Sequence, residues 1–338
     1  MTGSEPSAFL YAALSAIALS FTLTGLATWY SRKTGLFDHP GERHSHSTVT
    51  PRGGGAGLIA AFVLLAAWFT GADASGVWIS CIMPGVVILA ILGGWDDHAS
   101  LSVWFRLFIQ LAVSFYLLWC AANSEWIHGA IMLVLSGLFI VWMTNLYNFM
   151  DGSNGMAGLQ GVFGGVVLSG LFYLAGDPQF ALISILLGAS CAGFLPWNLG
   201  RARVFMGDVG SLPLGYLFAV LLLYGAGTGA FEIPVAWMVM LLFLTDSTLT
   251  LLVRVIRGER WYNAHRQHLY QRLIAGGWTH GSVATLYQAI NLALVLPGIV
   301  VAVNFPALAW VAAWVLTLIC VLGWYLLVRR FGEPVQAG

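Results

Sequence analysis

Long apolar runs alternate with short polar stretches along almost the whole chain. About 20 apolar residues suffice for one helical crossing of a bilayer, and on that basis the 338 residues predict eleven spans. Their approximate bounds are 8–30, 54–71, 77–94, 104–122, 129–147, 156–175, 179–196, 211–228, 233–253, 282–303 and 307–328. The pattern predicts an all-α polytopic bundle that forms one domain over residues 1–338.

Composition supports a lipid environment. Hydrophobic residues make up 59% of the chain and charged residues only 8%, whereas a soluble domain carries about 25% charged residues. Such a chain cannot cover itself with polar surface, so we expect an integral membrane protein. The four cysteines all lie in apolar runs and are interpreted as packing residues.

Charge is distributed unevenly between the two sides of the predicted bundle. All 14 Lys and Arg residues fall in alternate connections or at the C-terminal end, and the opposite connections contain none. The positive-inside rule then predicts that the basic side is cytoplasmic. An odd number of spans places the C-terminus in the cytoplasm and the N-terminus on the opposite side, which is the periplasm if the membrane is a bacterial inner membrane.

The polar motifs lie on that same side. They occupy five predicted loops, at about 31–53, 95–103, 145–155, 197–210 and 254–281. A transporter more often places ionisable groups near the membrane midplane, along a path open to both sides. The one-sided arrangement therefore favours an enzyme supplied from the cytoplasm, with a polytopic lipid or proton-coupled transporter as an alternative. An intramembrane prenyltransferase is a second rival, but it would require two separate aspartate-rich motifs.

Acidic residues in two of these loops suit a magnesium site. Asp96 and Asp97 are adjacent in WDDHAS, and Asp208 lies between Gly207 and Gly210 in FMGDVGS. Mg²⁺ is commonly held by one or two protein oxygens, waters and substrate phosphates. Each acid could instead cap a helix, since Asp is common at helix ends.

Cationic residues occupy two other loops. His265, Arg266 and His268 lie in HRQHLYQRL, where cationic side chains would suit a diphosphate, although a basic segment beside a membrane could instead hold anionic lipid headgroups. Arg43 and His46 precede Arg52 and a glycine run. These basic residues could bind a phosphorylated lipid headgroup, or they could serve only to fix the orientation of the chain in the membrane. The acid Asp246 falls inside the ninth predicted span, and we interpret it as a buried partner for an arginine.

The stretch NLYNFMDGSNG adds carboxamides to this face, with Asn145, Asn148, Asp151 and Asn154 three residues apart. Amides donate and accept hydrogen bonds, which suits a sugar hydroxyl or N-acetyl group, and their oxygens can ligate Mg²⁺. A hydrogen-bonded cluster between helices is the alternative. Together the motifs indicate transfer of a phospho-sugar from a soluble nucleotide to a lipid phosphate.

The order of these motifs resembles the polyprenyl-phosphate N-acetylhexosamine-1-phosphate transferases. The likeness covers about residues 30–281, and within the superfamily it is greatest to the bacterial WecA/WbpL-like branch of glycosyltransferase family 4. The phospho-MurNAc-pentapeptide transferases are less similar, because their consecutive histidines are replaced by His265-Arg266-Gln267-His268.

The resemblance implies roles for individual residues. Asn148 and Asp208 match the Mg²⁺ ligands, with Mn²⁺ as a substitute ion. Asp96 and Asp97 match an acidic pair that assists deprotonation of the lipid phosphate, and Phe205 matches an aromatic that stacks on uracil. Asp151 matches an acid near the nucleotide-sugar. The loop that contacts the diphosphate and the sugar is matched by His265, Arg266 and His268. Asn154 replaces an acid found in many relatives, and we expect it to contact the sugar.

The implied reaction transfers an N-acetylhexosamine 1-phosphate, of GlcNAc, FucNAc or QuiNAc type, from a UDP-sugar to undecaprenyl phosphate. UMP is released, and O-antigen or a related surface glycan is initiated. Transfer of phospho-MurNAc-pentapeptide in peptidoglycan synthesis is the alternative within the superfamily. Membrane lipids are expected partners, a homodimer is compatible with the resemblance, and no nucleic acid is expected.

Overall fold

The computed structural model describes residues 6–38, 49–70, 78–122, 129–260, 262 and 265–332. Helices dominate this part of the chain. The first seven are α1 Pro6–Thr34, α2 Gly55–Thr70, α3 Met83–Ala99, α4 Val103–Ala122, α5 Ala130–Met150, α6 Met156–Leu174 and α7 Pro178–Asn198. The others are α8 Asp208–Gly227, α9 Ile233–Val239, α10 Leu241–Ile256, α11 Leu269–Ala275, α12 His280–Ile290, α13 Leu296–Asn304 and α14 Ala309–Phe331. A small antiparallel ribbon joins β1 Phe37–Asp38 to β2 Thr50–Pro51.

The prediction of a helical multi-pass membrane protein is confirmed in its coarse form. Nine helices of the described ranges are long and apolar enough to cross a bilayer. The second predicted span is a shorter apolar helix of 16 residues, α2. The ninth consists of α9 and α10, which are bent by 78° at Met240. The number eleven and the assignment of the two sides therefore stay predictions.

The break at Met240 is stabilised by side chains of other helices. A broken helix leaves carbonyl groups without partners, and inside a bilayer these must be satisfied by protein groups. Gln160 of α6 donates to the Val239 carbonyl at 3.0 Å, and Asn291 donates to Gln160 Oε1 at 2.8 Å. Asn291 begins a π-helical turn, Asn291–Val295, between α12 and α13. The irregular backbone at Met240 thus lies where two buried side-chain amides can satisfy its hydrogen bonds.

The core lies around α6, α7 and α8, which are the most buried of the long helices. Small residues allow the closest approaches. A Cβ on Gly165 of α6 would lie 2.5 Å from the Cα of Gly188 in α7. In α8, Phe218 stacks on Tyr147 of α5 with ring centroids 5.6 Å apart. Close helix contacts of this kind replace the hydrophobic driving force that is missing in lipid.

The polar connections meet at one end of the bundle, which we call the basic face. It comprises the β1–β2 ribbon, the connections 100–102, 151–155 and 199–207, and the described residues of the segment 257–279. The ribbon is tied to the loop before α8, because Phe205 N–H donates to the Pro51 carbonyl at 2.8 Å and Gly55 N–H donates to the Met206 carbonyl at 2.9 Å. The start of α2 and the start of α8 are therefore fixed side by side.

Candidate functional site

A pocket of about 210 Å³ opens on the basic face. Its walls come from the ribbon, the end of α5, the 151–155 turn, the end of α7, the start of α8 and the 271–280 region. The lining residues are Asp38, Arg52, Asn148, Phe149, Asp151, Gly152, Ser153, Asn154, Asn198, Phe205, Gly207, Asp208, Gln271 and His280. Five residues predicted from sequence thus meet in one pocket: Asn148, Asp151, Asn154, Phe205 and Asp208.

Asp208 is the first residue of α8, and its position is set by α3. Gly207 has a φ of +76°, a backbone conformation that L side chains rarely adopt. The Asp97 carboxylate then accepts the N–H groups of Asp208 at 2.9 Å and Val209 at 3.2 Å. Amide groups at a helix start have no partner within the helix, so Asp97 supplies the cap from a neighbouring helix.

Two arginines bind the three acids together. Arg52 Nε lies 2.8 Å from Asp97 Oδ1 and its terminal nitrogen lies 2.9 Å from Asp208 Oδ1. Arg106 lies 2.7 Å from Asp96 Oδ2 and 3.2 Å from Asp208 Oδ2. A planar guanidinium is suited to contact two carboxylates at fixed angles. Both oxygens of Asp208 are therefore oriented by cations.

The acidic pair lies behind Asp208 rather than among the described residues that line the pocket. Asp97 has a side chain only 1% exposed, and its oxygens are occupied by Arg52 and the start of α8. Asp96 accepts the Leu101 N–H at 2.6 Å and the Arg106 contact. This geometry gives both acids a clear positioning role, and their part in deprotonation stays a prediction.

The two asparagines of α5 occupy different surroundings. Asn148 lines the pocket and donates to Ser211 Oγ at 2.9 Å. Asn145, one turn earlier, donates to Gln110 Oε1 of α4 at 2.6 Å and to the Val141 carbonyl at 2.8 Å. Asn145 thus joins two helices, whereas Asn148 has direct access to the pocket.

The turn after α5 is held by contacts with the end of α7, the connection that follows α7 and the start of α12. Asn154 donates to the Gly200 carbonyl at 2.8 Å, and Asn198 accepts the Gly155 N–H at 2.6 Å. The His280 ring contacts Ser153 Oγ at 3.1 Å. Loss of hydration, together with the nearby Asp208 carboxylate, holds the pKa of Asp151 well above its usual range. A cation in the pocket would reverse that effect.

The oxygen atoms of the pocket fit a hard divalent cation. Asp208, Asp151 and Asn148 are carboxylate and amide residues that line the same pocket, and Mg²⁺ prefers oxygen ligands of these types. In the described ranges no group of three or more His, Cys, Asp or Glu side chains could hold a metal ion unaided. An ion in this pocket would therefore complete its coordination with water and phosphate oxygens, as Mg²⁺ usually does.

The histidines of the 265–268 segment are mostly withdrawn from the pocket. His268 is 3% exposed and lies between the rings of Phe149, 6.0 Å away, and Tyr270, 5.9 Å away. Burial lowers the pKa of His268 to about 3, and burial together with His268 lowers that of His265 to about 3. Both rings are therefore uncharged near neutral pH, unlike the cationic histidines expected from sequence.

Among the described residues 265–272, Gln271 lines the pocket. The described lining does not include His265, Arg266 or His268, and their contacts with a diphosphate or sugar stay predictions. Arg43 and His46 lie outside the described residues.

Asp246 holds the segment against the bundle. Its carboxylate accepts the Leu269 N–H at 2.7 Å, the Tyr287 hydroxyl at 2.8 Å and the Trp324 indole N–H at 3.2 Å. From the sequence, Asp246 was interpreted as the buried partner of an arginine. The nearest arginine on the same helix, Arg254, instead pairs with Glu259 at 2.7 Å, so the interpretation was wrong for that residue. Asp246 therefore caps α11 and ties it to α12 and α14.

Comparison with known proteins agrees with this geometry. The family model described as glycosyl transferase family 4 matches residues 78–226. A probable undecaprenyl-phosphate N-acetylglucosaminyl 1-phosphate transferase of Bacillus subtilis (strain 168) is 29% identical over 75% of this chain and 74% of its own. An undecaprenyl-phosphate alpha-N-acetylglucosaminyl 1-phosphate transferase of Salmonella typhi is 25% identical over 94% and 90% of the two chains. The family match and the names of these relatives support the polyprenyl-phosphate hexosamine-1-phosphate transferase superfamily for this chain.

The superfamily also contains relatives named for another substrate. A phospho-N-acetylmuramoyl-pentapeptide-transferase of Synechococcus sp. (strain JA-3-3Ab) is 28% identical over 83% of this chain and 87% of its own. The relatives of both names are sugar-phosphate transferases, and the comparisons do not select the sugar.

Several residues of the pocket and of its supporting contacts were not assigned from sequence. Arg52 and Arg106 had been weighed only as loop cations, because their contacts with Asp208 join residues 156 and 102 positions apart. Gln271 lies within HRQHLYQRL but was not singled out there, and His280 belonged to no motif. Asn198 could have been suspected as an amide next to a predicted loop, but its hydrogen bond to the Gly155 N–H depends on tertiary packing.

Proposed function

We propose that the protein transfers an N-acetylhexosamine 1-phosphate from a UDP-sugar to undecaprenyl phosphate and releases UMP. The observation that carries the proposal is the composition of one pocket. Asp208, Asp151 and Asn148 provide oxygen atoms, Arg52 provides positive charge and Phe205 provides an aromatic face. These groups match the parts of a metal-bound nucleoside diphosphate sugar, and the names of the relatives support the reaction class.

In this proposal, Asp208 and Asn148 hold Mg²⁺, or Mn²⁺ in its place, with Asp151 close by. The ion supplies neutralisation of the diphosphate charge. Arg52 and Arg106 fix the two oxygens of Asp208, and Phe205 lies against the uracil. Asn154 and its neighbours in the 151–155 turn bind the N-acetylated sugar.

Bond making requires alignment more than activation. An oxygen of the lipid phosphate attacks the β-phosphorus, the bond from that phosphorus to the bridging oxygen breaks, and UMP leaves with the electron pair. A phosphate monoester has a second pKa near 6, so the nucleophile is largely dianionic at neutral pH. Positioning and charge neutralisation then dominate, as in other phosphoryl transfers. Asp96 and Asp97 serve by holding Arg106, Arg52 and the start of α8.

The cellular setting follows from charge distribution and relatives. We place the enzyme in a bacterial inner membrane, with the basic face in the cytoplasm where UDP-sugars are made. The names of two relatives favour GlcNAc as the sugar. In the WecA/WbpL-like branch the product starts O-antigen or a related surface glycan, and FucNAc or QuiNAc is the alternative sugar.

A second candidate is transfer of phospho-MurNAc-pentapeptide. It is favoured by the Synechococcus relative and disfavoured by the 265–268 segment, which has no run of consecutive histidines. The two candidates differ in donor but share acceptor and leaving group, so one assay format separates them.

The test measures UMP release by purified protein with undecaprenyl phosphate and Mg²⁺. The donors are UDP-GlcNAc, UDP-FucNAc, UDP-QuiNAc and UDP-MurNAc-pentapeptide, each with and without the lipid. We expect lipid-dependent UMP from one of the first three. Release only from UDP-MurNAc-pentapeptide would select the second candidate, and no release from any donor would reject both. An Asn154→Asp variant should change the ratio between UDP-N-acetylsugars more than it changes the total rate.

A further inference from the structure

Two of the four cysteines lie close together at the end of the bundle opposite the basic face. Cys81 lies in the π-helical turn Trp78–Ile82, which continues directly into α3. Cys120 lies in the last turn of α4, which ends at Ala122. Both residues are therefore within one helical turn of the same end of their spans. A π-helical turn is rare and is often found at a functional site. We call these two residues the cysteine pair.

The antiparallel arrangement of α3 and α4 places the two cysteines at the same depth. At the basic face, Arg106 of α4 lies 2.7 Å from Asp96 of α3. From the rise of a helix per residue, Cys81 is about 22 Å from this ion pair along α3 and Cys120 is about 21 Å from it along α4. The hydrocarbon layer of a bilayer is about 30 Å thick. The cysteine pair thus lies in the half of that layer that is remote from the basic face.

Contacts between the two helices bring the cysteine side chains together. The Tyr116 hydroxyl of α4 donates to the Ser80 carbonyl at 2.6 Å. Cys120 follows Tyr116 by one helical turn and Cys81 follows Ser80 directly, so this face of α4 presents Cys120 to Cys81. The two cysteine side chains interact directly, and Cys120 also interacts with the Tyr116 hydroxyl. Cys81 is 7% exposed, whereas Cys120 is half-buried. One sulfur is therefore protected and the other is accessible.

The position of the cysteine pair suits a disulfide bond. Disulfides form and persist in oxidising compartments such as the bacterial periplasm, and they are rare in the cytosol. With the basic face in the cytoplasm, as proposed above, the opposite ends of α3 and α4 lie at the periplasmic surface. The orientation of the chain thus places two adjacent thiols on the side of the membrane where they can be oxidised.

We propose that Cys81 and Cys120 are oxidised to a disulfide bond by thiol–disulfide exchange at the periplasmic surface. Both residues have free thiols in the structure. Cys120, the more exposed of the two, attacks a disulfide of an oxidant protein as a thiolate, and one thiolate of the oxidant leaves. Cys81 then attacks the Cys120 sulfur of this mixed disulfide, and the second thiolate leaves. The cysteine pair loses two electrons and two protons, and the disulfide of the oxidant becomes two thiols.

The bond would join α3 and α4 at the end remote from the basic face. At the basic face these helices are already joined by the ion pair between Asp96 and Arg106. The cross-link closes a loop from residue 81 to residue 120, and loop closure lowers the entropy of the unfolded chain. Both helices contribute contacts to Asp208. The disulfide therefore stabilises the support of the substrate pocket without contacting the substrate.

Peptide mapping of the full-length protein tests the proposal. Bacterial cells that produce the protein are quenched in acid, the protein is denatured in N-ethylmaleimide to block free thiols, and the purified chain is digested without reductant. We expect the peptides that contain Cys81 and Cys120 to be recovered joined, with a mass two hydrogens below their sum. Recovery of both as N-ethylmaleimide adducts would overturn the proposal, and so would a bond from either residue to Cys191 or Cys320.

The source of the oxidation is tested in a host that lacks its periplasmic thiol oxidase. The joined fraction should fall severalfold there. An equal fraction in both hosts would show oxidation by air and would overturn the exchange step.

The structural effect is measured as thermal stability in detergent. Dithiothreitol should lower the melting temperature of the wild type by at least about 3 °C and leave that of a Cys120→Ala variant unchanged. The matched control, Cys191→Ala/Cys320→Ala, should show the wild-type shift. No shift in the wild type, or an equal shift in Cys120→Ala, would overturn the stabilising cross-link. Because none of these measurements requires turnover, failure of this proposal is distinguishable from failure of the proposed reaction.

Discussion

The contact between α3 and α8 leads to a quantitative prediction for Gly93. A Cβ at this position would lie 2.2 Å from the Asp208 carbonyl oxygen and 2.5 Å from the Val209 nitrogen. The helices must then separate by about 1 Å to reach ordinary contact, and the hydrogen bonds of Asp97 to the start of α8, at 2.9 and 3.2 Å, would be broken or severely lengthened. A displacement of about 1 Å can cost about 100-fold in rate. Gly93→Ala should therefore reduce UMP release by about that factor.

Gly94→Ala provides the matched control. The same substitution one residue later places a Cβ 3.6 Å from the Val209 side chain, which is an ordinary contact. Both variants gain about 1 kcal/mol of helix propensity, while overpacking costs Gly93→Ala about 1–3 kcal/mol. Initial rates of UMP release and melting temperature in detergent are measured side by side. Equal activity of the two variants would refute the role of the α3–α8 contact in placing Asp208.

Three further predictions address the pocket and its support. Asp208→Asn should lower UMP release at least about 100-fold and reduce the rise in melting temperature on Mg²⁺ addition; wild-type behaviour in both assays would remove the proposed metal ligand. With a pKa of about 3 in the fold, His265 and His268 stay neutral where the unfolded chain, with a pKa near 6.5, takes up protons. The contribution of these two histidines to the free energy of unfolding should therefore be constant above about pH 6.5 and fall below it. A His265→Asn/His268→Asn variant should lose that part of the pH dependence, and an unchanged slope in the variant would contradict the burial argument. Asn145→Leu removes the amide contact with Gln110, worth about 0.6 kcal/mol in membrane helices, so UMP release should stay within about threefold of wild type, and a loss of about 100-fold would instead indicate a substrate contact.

The coarse architecture was predictable because lipid imposes a simple rule on sequence. Apolar runs located the helices, and charge asymmetry gathered the motif-bearing loops on one face before any contact was known. The break at Met240 was not predictable, since the apolar run continues through it and its stabilisation depends on Gln160 and Asn291, both remote in sequence.

The candidate site was predictable in its pocket-lining acids and amides but not in its cations. Asp208, Asp151 and Asn148 belong to short motifs whose residue types already indicate a metal and a sugar. Arg52 and Arg106 carry no such signal, because an arginine near a membrane serves topology equally well. The withdrawn position of His268 was also hidden, since spacing on a helix does not reveal that two aromatic rings enclose it.

Because Asp97 of α3 caps α8, the position of Asp208 depends mainly on residues outside the loop that precedes it. Asp208 is positioned by α3 and by two arginines from elsewhere, and only its immediate neighbour Gly207 comes from the loop before it. Side chains of residues 199–203, which are exposed or half-buried, can therefore vary without moving the carboxylate, whereas Phe205 and Met206 tie the rest of the loop to Pro51 and Gly55. The placement of the proposed metal ligand is thus insulated from changes of side chain in the most exposed part of the loop that precedes it.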